Sequence, residues 1–186
     1  MTRLLQTPRL RLRGPGLGDA RRLTDYLSNC AVSGNLARVP YTDPADDGRS
    51  WLSSWRANAP PNDRSFILDL NGVGAIGAAG FHDHGGIAKL GYWLGEPYWE
   101  QGLMTEALYT ILDWYFETTA ADYITSGVFH FNMASAALQM KLGFVETGRS
   151  VRHCFARGKD LEQIDSELTR EAYILSRPKQ RKDAAQ

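Results

Sequence analysis

The chain has 186 residues, 43% of them hydrophobic and 23% charged, enough to bury a core in one domain without a disulfide or structural metal. Lys plus Arg and Asp plus Glu stand at 21 each, which argues against a broad phosphate-contacting face for nucleic acid or an anionic membrane. Cys30 and Cys154 lack metal-ligand spacing, no apolar run follows Met1-Thr2-Arg3, and no stretch of about 18 apolar residues occurs; a reduced cytoplasmic setting is expected.

In chain order, Thr7–Arg13 alternates polar and apolar residues and predicts a half-buried strand. Gly14–Gly18 breaks it, and Asp19 is placed to cap a helix carrying Leu23, Tyr26 and Leu27 on one face. Asp43-Pro44 opens a second helix with Trp51 and Trp55 four apart. Ser65–Leu70 and Val73–Phe81 flank Asn71-Gly72, a type I′ hairpin signal. His82–Gly86 predicts a turn and Ile87–Leu94 a further strand. From Leu103 the period changes: Ala107, Leu108, Ile111, Leu112 and Tyr115 follow helical spacing. Tyr123–Phe129 returns to strand, and Asn132–Leu142 is a helix closed by Gly143. Phe144-Val145 begins another strand, and Val151–Ala156 with Gln163–Leu168 predicts a last hairpin. Residues 1–176 read as a single domain and 177–186 as a basic, solvated C-terminal tail. Strands in a run followed by βαβ segments predict an α+β chain whose mixed sheet carries helices on both faces.

Two segments carry chemistry. In Gly91–Ala107 a strand enters a short loop holding Gly102, and a helix starts at once. A helix N-terminus presents unpaired N–H groups and a positive dipole end, which favour a phosphate. The nucleotide P-loop and Rossmann spacings are both missing, so on these residues alone an ordinary tight loop competes with an anion site. In Asn132–Phe144, Asn132 opens a helix and Ser135 lies one turn on; taken alone, Asn132 reads as an N-cap.

Together these segments resemble the GNAT superfamily of acetyl-CoA-dependent N-acetyltransferases, and more narrowly its ribosomal-protein (RimJ/RimL-like) branch. That branch reads Gly-Tyr-Trp-Leu, then Tyr-Trp-Gly-x-Gly-Tyr-Ala-Thr-Glu-Ala. Here the residues are Gly91-Tyr92-Trp93-Leu94 and Tyr98-Trp99-Glu100-Gln101-Gly102-Leu103-Met104-Thr105-Glu106-Ala107. The branch's Asn-x-x-Ser…Lys-Leu-Gly-Phe is matched by Asn132, Ser135 and Lys141–Phe144, and its Thr-x-Arg-Leu-x-Leu-Arg opening resembles Thr7–Arg13. The likeness spans roughly residues 5–175. Trp99 and Met104 depart from the superfamily's [Gln/Arg]-x-x-Gly-x-[Gly/Ala]; Trp99 is usual for the branch and Met104 is not.

The resemblance implies a GNAT-like fold: a central, mostly antiparallel twisted sheet of about seven strands with a V-shaped splay, flanked by about four helices. It implies acetyl-CoA as co-substrate and no metal. Backbone groups at Tyr92, Trp93 and Leu94 would orient the pantetheine arm, N–H groups at Gln101, Gly102, Leu103, Met104 and Thr105 would hold the pyrophosphate, and Asn132 would reach the arm. An amine would attack the thioester directly, with an oxyanion donor near Trp93-Leu94. Ser135 would lie close to the sulfur and protonate or hydrogen-bond it, because Gln139 stands where the superfamily's usual Tyr acid falls. Glu146 and Glu162 are candidates for the general base. Glu106 is a further catalytic candidate, against dipole compensation in the first helical turn. Tyr41, Trp51, Trp55, Phe81 and His153 are expected to line the acceptor pocket. His82-Asp83-His84 reads as polar turn residues rather than metal ligands.

The expected activity is acetyl transfer to a primary amine, on a protein N-terminus or a small molecule. The alternative is an acyl-CoA-binding sensor of the same fold with little or no turnover. A homodimer is common among similar chains, and neither nucleic acid nor a membrane is an expected partner.

Overall fold

The computed structural model describes residues 4–37 and 59–178. The strands are β1 (Leu5–Gln6), β2 (Leu10–Arg13), β3 (Ser65–Leu70), β4 (Gly74–His84), β5 (Ile87–Leu94), β6 (Tyr123–Phe129), β7 (Val145–Cys154) and β8 (Lys159–Thr169). They form one 8-stranded sheet in the order β1-β2-β3-β4-β5-β6-β8-β7. The α-helices among the described residues are α1 (Ala20–Leu27), α2 (Cys30–Ser33), α3 (Leu103–Thr118), α4 (Met133–Leu142) and α5 (Arg170–Ser176).

The central strands are apolar on both faces because helices cover both. Phe66 and Leu68 of β3 pack with α3, while Ile67 between them packs with Leu23 and Leu27 of α1. Helix α3 buries Ala107, Leu108, Ile111, Leu112 and Tyr115, the residues whose spacing predicts it. Each large apolar side chain buried this way contributes about 1.5–3 kcal/mol. Helix α5 lies against α3 through Tyr173, whose hydroxyl donates to Asp113 Oδ1 at 2.7 Å.

Several expectations shift. The strand expected over Thr7–Arg13 begins at Leu10. Residues 7–9 turn instead: Pro8 has no N–H, and Thr7 N donates to Leu10 O at 2.9 Å. That turn separates off β1 and supplies the eighth strand. Asp19 makes no side-chain cap. Its carboxylate receives both Arg13 terminal nitrogens at 2.7 Å and the Gly16 N–H at 2.8 Å. The Asn71-Gly72 hairpin is not type I′, because Gly72 has positive φ and Asn71 does not. Strand β4 runs through His82-Asp83-His84, leaving only Gly85-Gly86 to turn. Strand β7 is continuous from Val145 to Cys154, and α2 and α5 add helices the periodicity missed. The helix read after Asp43-Pro44 lies outside the described residues. Arg177, read as the start of the tail, pairs with Asp113 at 2.7 Å.

Gly143 closes α4 in the left-handed region, at φ 95°. An added Cβ would meet Ala172 O at 3.0 Å and Ser176 Cβ at 3.1 Å, both on α5. Gly143→Ala should therefore cost about 1–2 kcal/mol of stability, measured by denaturant unfolding.

Candidate active site

Every neighbouring strand pair is antiparallel except β5–β6, which is parallel and registers at one residue pair, Lys89↔Thr125. Just beyond it Ser126 Oγ donates to Leu90 O at 3.0 Å. Past that bond the two strands run apart. Strand hydrogen bonding alternates with a period of two. The backbone groups of Tyr92 and Leu94 therefore face the gap with Leu90 O, and those of Trp93 face β4. This narrows the expected oxyanion donor near Trp93-Leu94 to Leu94 or Tyr92. Leu94 O is taken by Trp99 Nε1 at 2.7 Å, leaving its N–H toward the gap. A cleft of about 1080 Å³ passes through the gap, bordered by Tyr92, Leu94, Gly102, Asn132, Ser135 and Gln163.

The N-terminus of α3 forms one end of the cleft. Gly102 precedes the helix with φ 73° and offers no side-chain cap. The first closed helical bond is Glu106 N to Gly102 O at 3.0 Å. The N–H groups of Leu103, Met104 and Thr105 therefore lack intrahelical acceptors, the arrangement that suits a phosphate. Met104 is 9% exposed and packs in the α3 core cluster, so its bulk is accommodated within the fold. Glu100 has φ 60°, the one described non-glycine residue in that region.

Glu106 is held from the far side of this loop. It accepts from Thr7 Oγ1, from Arg9 N at 3.0 Å and from Arg9 Nε at 2.7 Å. Arg9 Nη1 also donates to Gln101 O at 2.9 Å. Burial pushes the Glu106 carboxyl upward, but the hydrogen bonds from Thr7 and Arg9 outweigh it and hold it below the usual value. The arrangement makes Glu106 a clamp between the chain's start and the loop.

Helix α4 forms the opposite wall. Asn132 caps it, its Oδ1 accepting the Ser135 N–H at 3.2 Å. Ser135 Oγ lies 2.7 Å from the Tyr92 hydroxyl across the gap. One turn on, Gln139 is buried behind this pair and bonds Ser126 Oγ at 2.8 Å and Ser166 Oγ at 2.7 Å. Burial pushes the Tyr92 phenol above its ordinary value, opposed by hydrogen bonds with Ser135 and Gln139. Gln139, Ser126 and Ser166 were missed as part of the site. Their signal was present: Ser126 interrupts Ile124 and Val128, and Ser166 interrupts Ile164 and Leu168, on facing strands where Ser126 pairs with Ser166.

The remaining candidates disperse. Glu146 and Glu162 sit about half-exposed on the β7–β8 hairpin, both bonded to Arg149, at 3.0 and 2.5 Å, and neither is among the cleft-lining residues. Both carboxylates are engaged by Arg149 on the hairpin surface, which suits a surface pair better than a base. Phe81 borders the cleft but is 1% exposed and packs on Tyr115 with ring centroids 4.3 Å apart; its ring belongs to the core. His153 borders the cleft, with Nδ1 2.7 Å from Asp160 Oδ1. Tyr41, Trp51 and Trp55 lie outside the described residues. Among the described residues no group of three or more His, Cys, Asp or Glu could hold a metal, and no helix is long and apolar enough to cross a membrane.

The family model of the acetyltransferase (GNAT) domain matches residues 9–145. The chain is 28% identical over 174 residues to the uncharacterized N-acetyltransferase p20 of Bacillus licheniformis, covering 91% of this chain and 97% of that one. It is 32% identical over 147 residues to the SPbeta prophage-derived uncharacterized N-acetyltransferase YokL of Bacillus subtilis, covering 76% of this chain and 80% of that one. Among solved structures, Mycobacterium smegmatis RimJ in complex with CoA-disulfide superposes with a TM-score of 0.76 at 22% identity, over 91% of this chain and 88% of that one. With a family match over most of its length and a sheet that splays beside an uncapped helix N-terminus, the chain belongs to the GNAT acetyltransferase family. It is an acyltransferase, and acetyl-CoA is its acyl donor.

Glu106→Gln should lower stability near neutral pH by about 1–3 kcal/mol. A carboxyl held below its unfolded value contributes above that unfolded value and loses the contribution as pH falls through the folded one. Urea unfolding at about pH 7 and about pH 3 should therefore show the wild-type advantage vanishing in acid. Glu100→Gly should relieve a left-handed non-glycine conformation and raise stability by up to about 1 kcal/mol, read by thermal unfolding.

Proposed function

We propose that this chain is an N-acetyltransferase of the RimJ/RimL-like branch, moving an acetyl group to a primary amine by direct attack. The observation that carries the reading is the cleft through the sheet. It joins an anion-favouring helix N-terminus, a strand edge with free backbone groups and a hydroxyl at the gap. Support for the branch comes from Gly91-Tyr92-Trp93-Leu94 and Tyr98-Trp99 together with Asn132 and Ser135. The likeness to RimJ adds to it, although Glu100 stands where the branch has glycine.

Acetyl-CoA supplies an activated thioester. The N–H groups of Gln101–Thr105 hold the pyrophosphate, with the α3 dipole behind them. Backbone groups of Tyr92 and Leu94, with Asn132, align the pantetheine arm. The Leu94 N–H donates to the carbonyl oxygen as negative charge develops on it. Ser135 hydrogen-bonds the departing sulfur. His153 is the cleft-lining group suited to accept the amine's proton, because Asp160 holds one ring nitrogen and leaves the other for the acceptor. The acceptor is an amine on a protein N-terminus or a small molecule, met in the cytoplasm, and a homodimer is the assembly common among similar chains.

The test is thiol release from acetyl-CoA with a panel of amines and N-terminal peptides, alongside thermal stabilisation by CoA. CoA at 100 times its Kd should stabilise by about 2.7 kcal/mol. Ser135→Ala should lower turnover roughly 100-fold while CoA still stabilises the fold. Stabilisation with no turnover on any acceptor would favour the sensor instead, and no stabilisation at all would sink both.

A further inference from the structure

Ser135 can serve a leaving sulfur only if its hydrogen points into the cleft. A serine hydroxyl rotates freely, and a 2.7 Å contact with Tyr92 would equally allow Ser135 to donate away from the cleft, into the phenol. The groups behind Tyr92 decide between the two directions.

Leu90 O is a carbonyl and can only accept. Ser126 Oγ, 3.0 Å from it, must therefore donate. Having spent its hydrogen, Ser126 accepts from Gln139 at 2.8 Å, which fixes that amide atom as Nε2. Gln139 Oε1 then faces Ser166, which donates to it at 2.7 Å. The amide is locked at both ends, so it cannot flip without breaking both bonds. Its Nε2 carries a second hydrogen, and Gln139 eases negative charge on the buried Tyr92 oxygen, as an N–H turned toward it does. The phenol's own hydrogen goes toward Ser135, whose carbonyl can only accept. Two acceptors are offered, Oγ at 2.7 Å and the Ser135 carbonyl at 3.4 Å, and the shorter contact wins. Ser135 Oγ, already accepting, is left to donate into the cleft that it borders.

We propose that Tyr92 is a positioning residue: its hydroxyl, 2.7 Å from Ser135 Oγ and backed by the Gln139–Ser126–Leu90 chain, turns the Ser135 hydrogen toward the sulfur. The inference rests on the reading that Ser135 acts on the sulfur. No bond to the phenol hydrogen breaks, so the phenol stays neutral throughout; burial that pushes its ionisation upward suits that role. The chain thereby gives Gln139, where the superfamily's tyrosine would fall, a part in the same proton geometry from one layer further back.

The experiment compares Tyr92→Phe, Ser135→Ala and the double variant. Turnover is followed by thiol release with the best amine of the panel. Binding of CoA and of desulfo-CoA is measured by calorimetry, which needs no acceptor. Tyr92→Phe keeps the ring and should leave desulfo-CoA binding unchanged, which also reports that the site is folded. It should lower kcat about 10- to 100-fold with KM unchanged, and it should narrow the preference for CoA over desulfo-CoA as Ser135→Ala does. In the Ser135→Ala background the same change should have no further effect. If Tyr92→Phe is equally damaging in that background, or leaves the CoA preference intact while Ser135→Ala narrows it, Tyr92 does not act through Ser135 and the inference is overturned. If Ser135→Ala itself changes neither turnover nor preference, the role of Ser135 falls first and the inference with it.

Discussion

The site depends on one parallel strand pairing that is allowed to fail. Strands β5 and β6 register at Lys89↔Thr125 and are closed off by the Ser126–Leu90 hydrogen bond. Beyond that point each strand is still held on its outer side, β5 by β4 and β6 by β8. The strands can separate without unravelling because neither relies on the other. Backbone groups that a continuous sheet would consume are left facing a gap. Exposed strand edges usually invite unwanted pairing; here the edge is recessed between helices α3 and α4, where an extended ligand arm can use it.

The two walls of the gap are built on different principles. The α3 wall offers charge: an uncapped helix start, with the one nearby acidic side chain of the helix, Glu106, tied back to Thr7 and Arg9. Were Glu106 free, its negative charge would compete with a phosphate for the same dipole end. The Arg9 clamp neutralises it and fixes Gln101 at the same time. Glu100 sits on that loop in a conformation glycine would adopt more readily, a local strain tolerated where the backbone must turn sharply.

The α4 wall offers direction. Buried polar groups are costly unless all their hydrogen-bonding capacity is met. Ser126, Ser166 and Gln139 meet each other's needs, and the Leu90 carbonyl sets the sense in which the chain of donors runs. The same bond that closes the strand pairing thus orients the buried amide behind the cleft hydroxyls. Geometry and proton placement are coupled through one serine.

How much of this was legible in the sequence follows from the range of each interaction. Local rules placed the helices at Leu103 and Asn132, the Gly143 cap and the loop with Gly102, because hydrophobic period and chain reversal are set by neighbours a few residues apart. They failed where a distant partner outbid a near one. Asp19 was expected to cap α1 and instead serves Arg13; Thr7 and Arg9 were expected in a strand and instead turn toward Glu106, about 97 residues away along the chain. Glu106, Glu146 and Glu162 had the composition of catalytic carboxylates, but composition says nothing about which arginine lies alongside. The sequence by itself determined the family and placed Gly102 and Ser135 at the starts of two helices. Only the tertiary structure decided which backbone groups face the gap and which hydroxyls meet across it. Those depend on β5, β6, α4 and β8 meeting at one place, and no local pattern encodes that meeting.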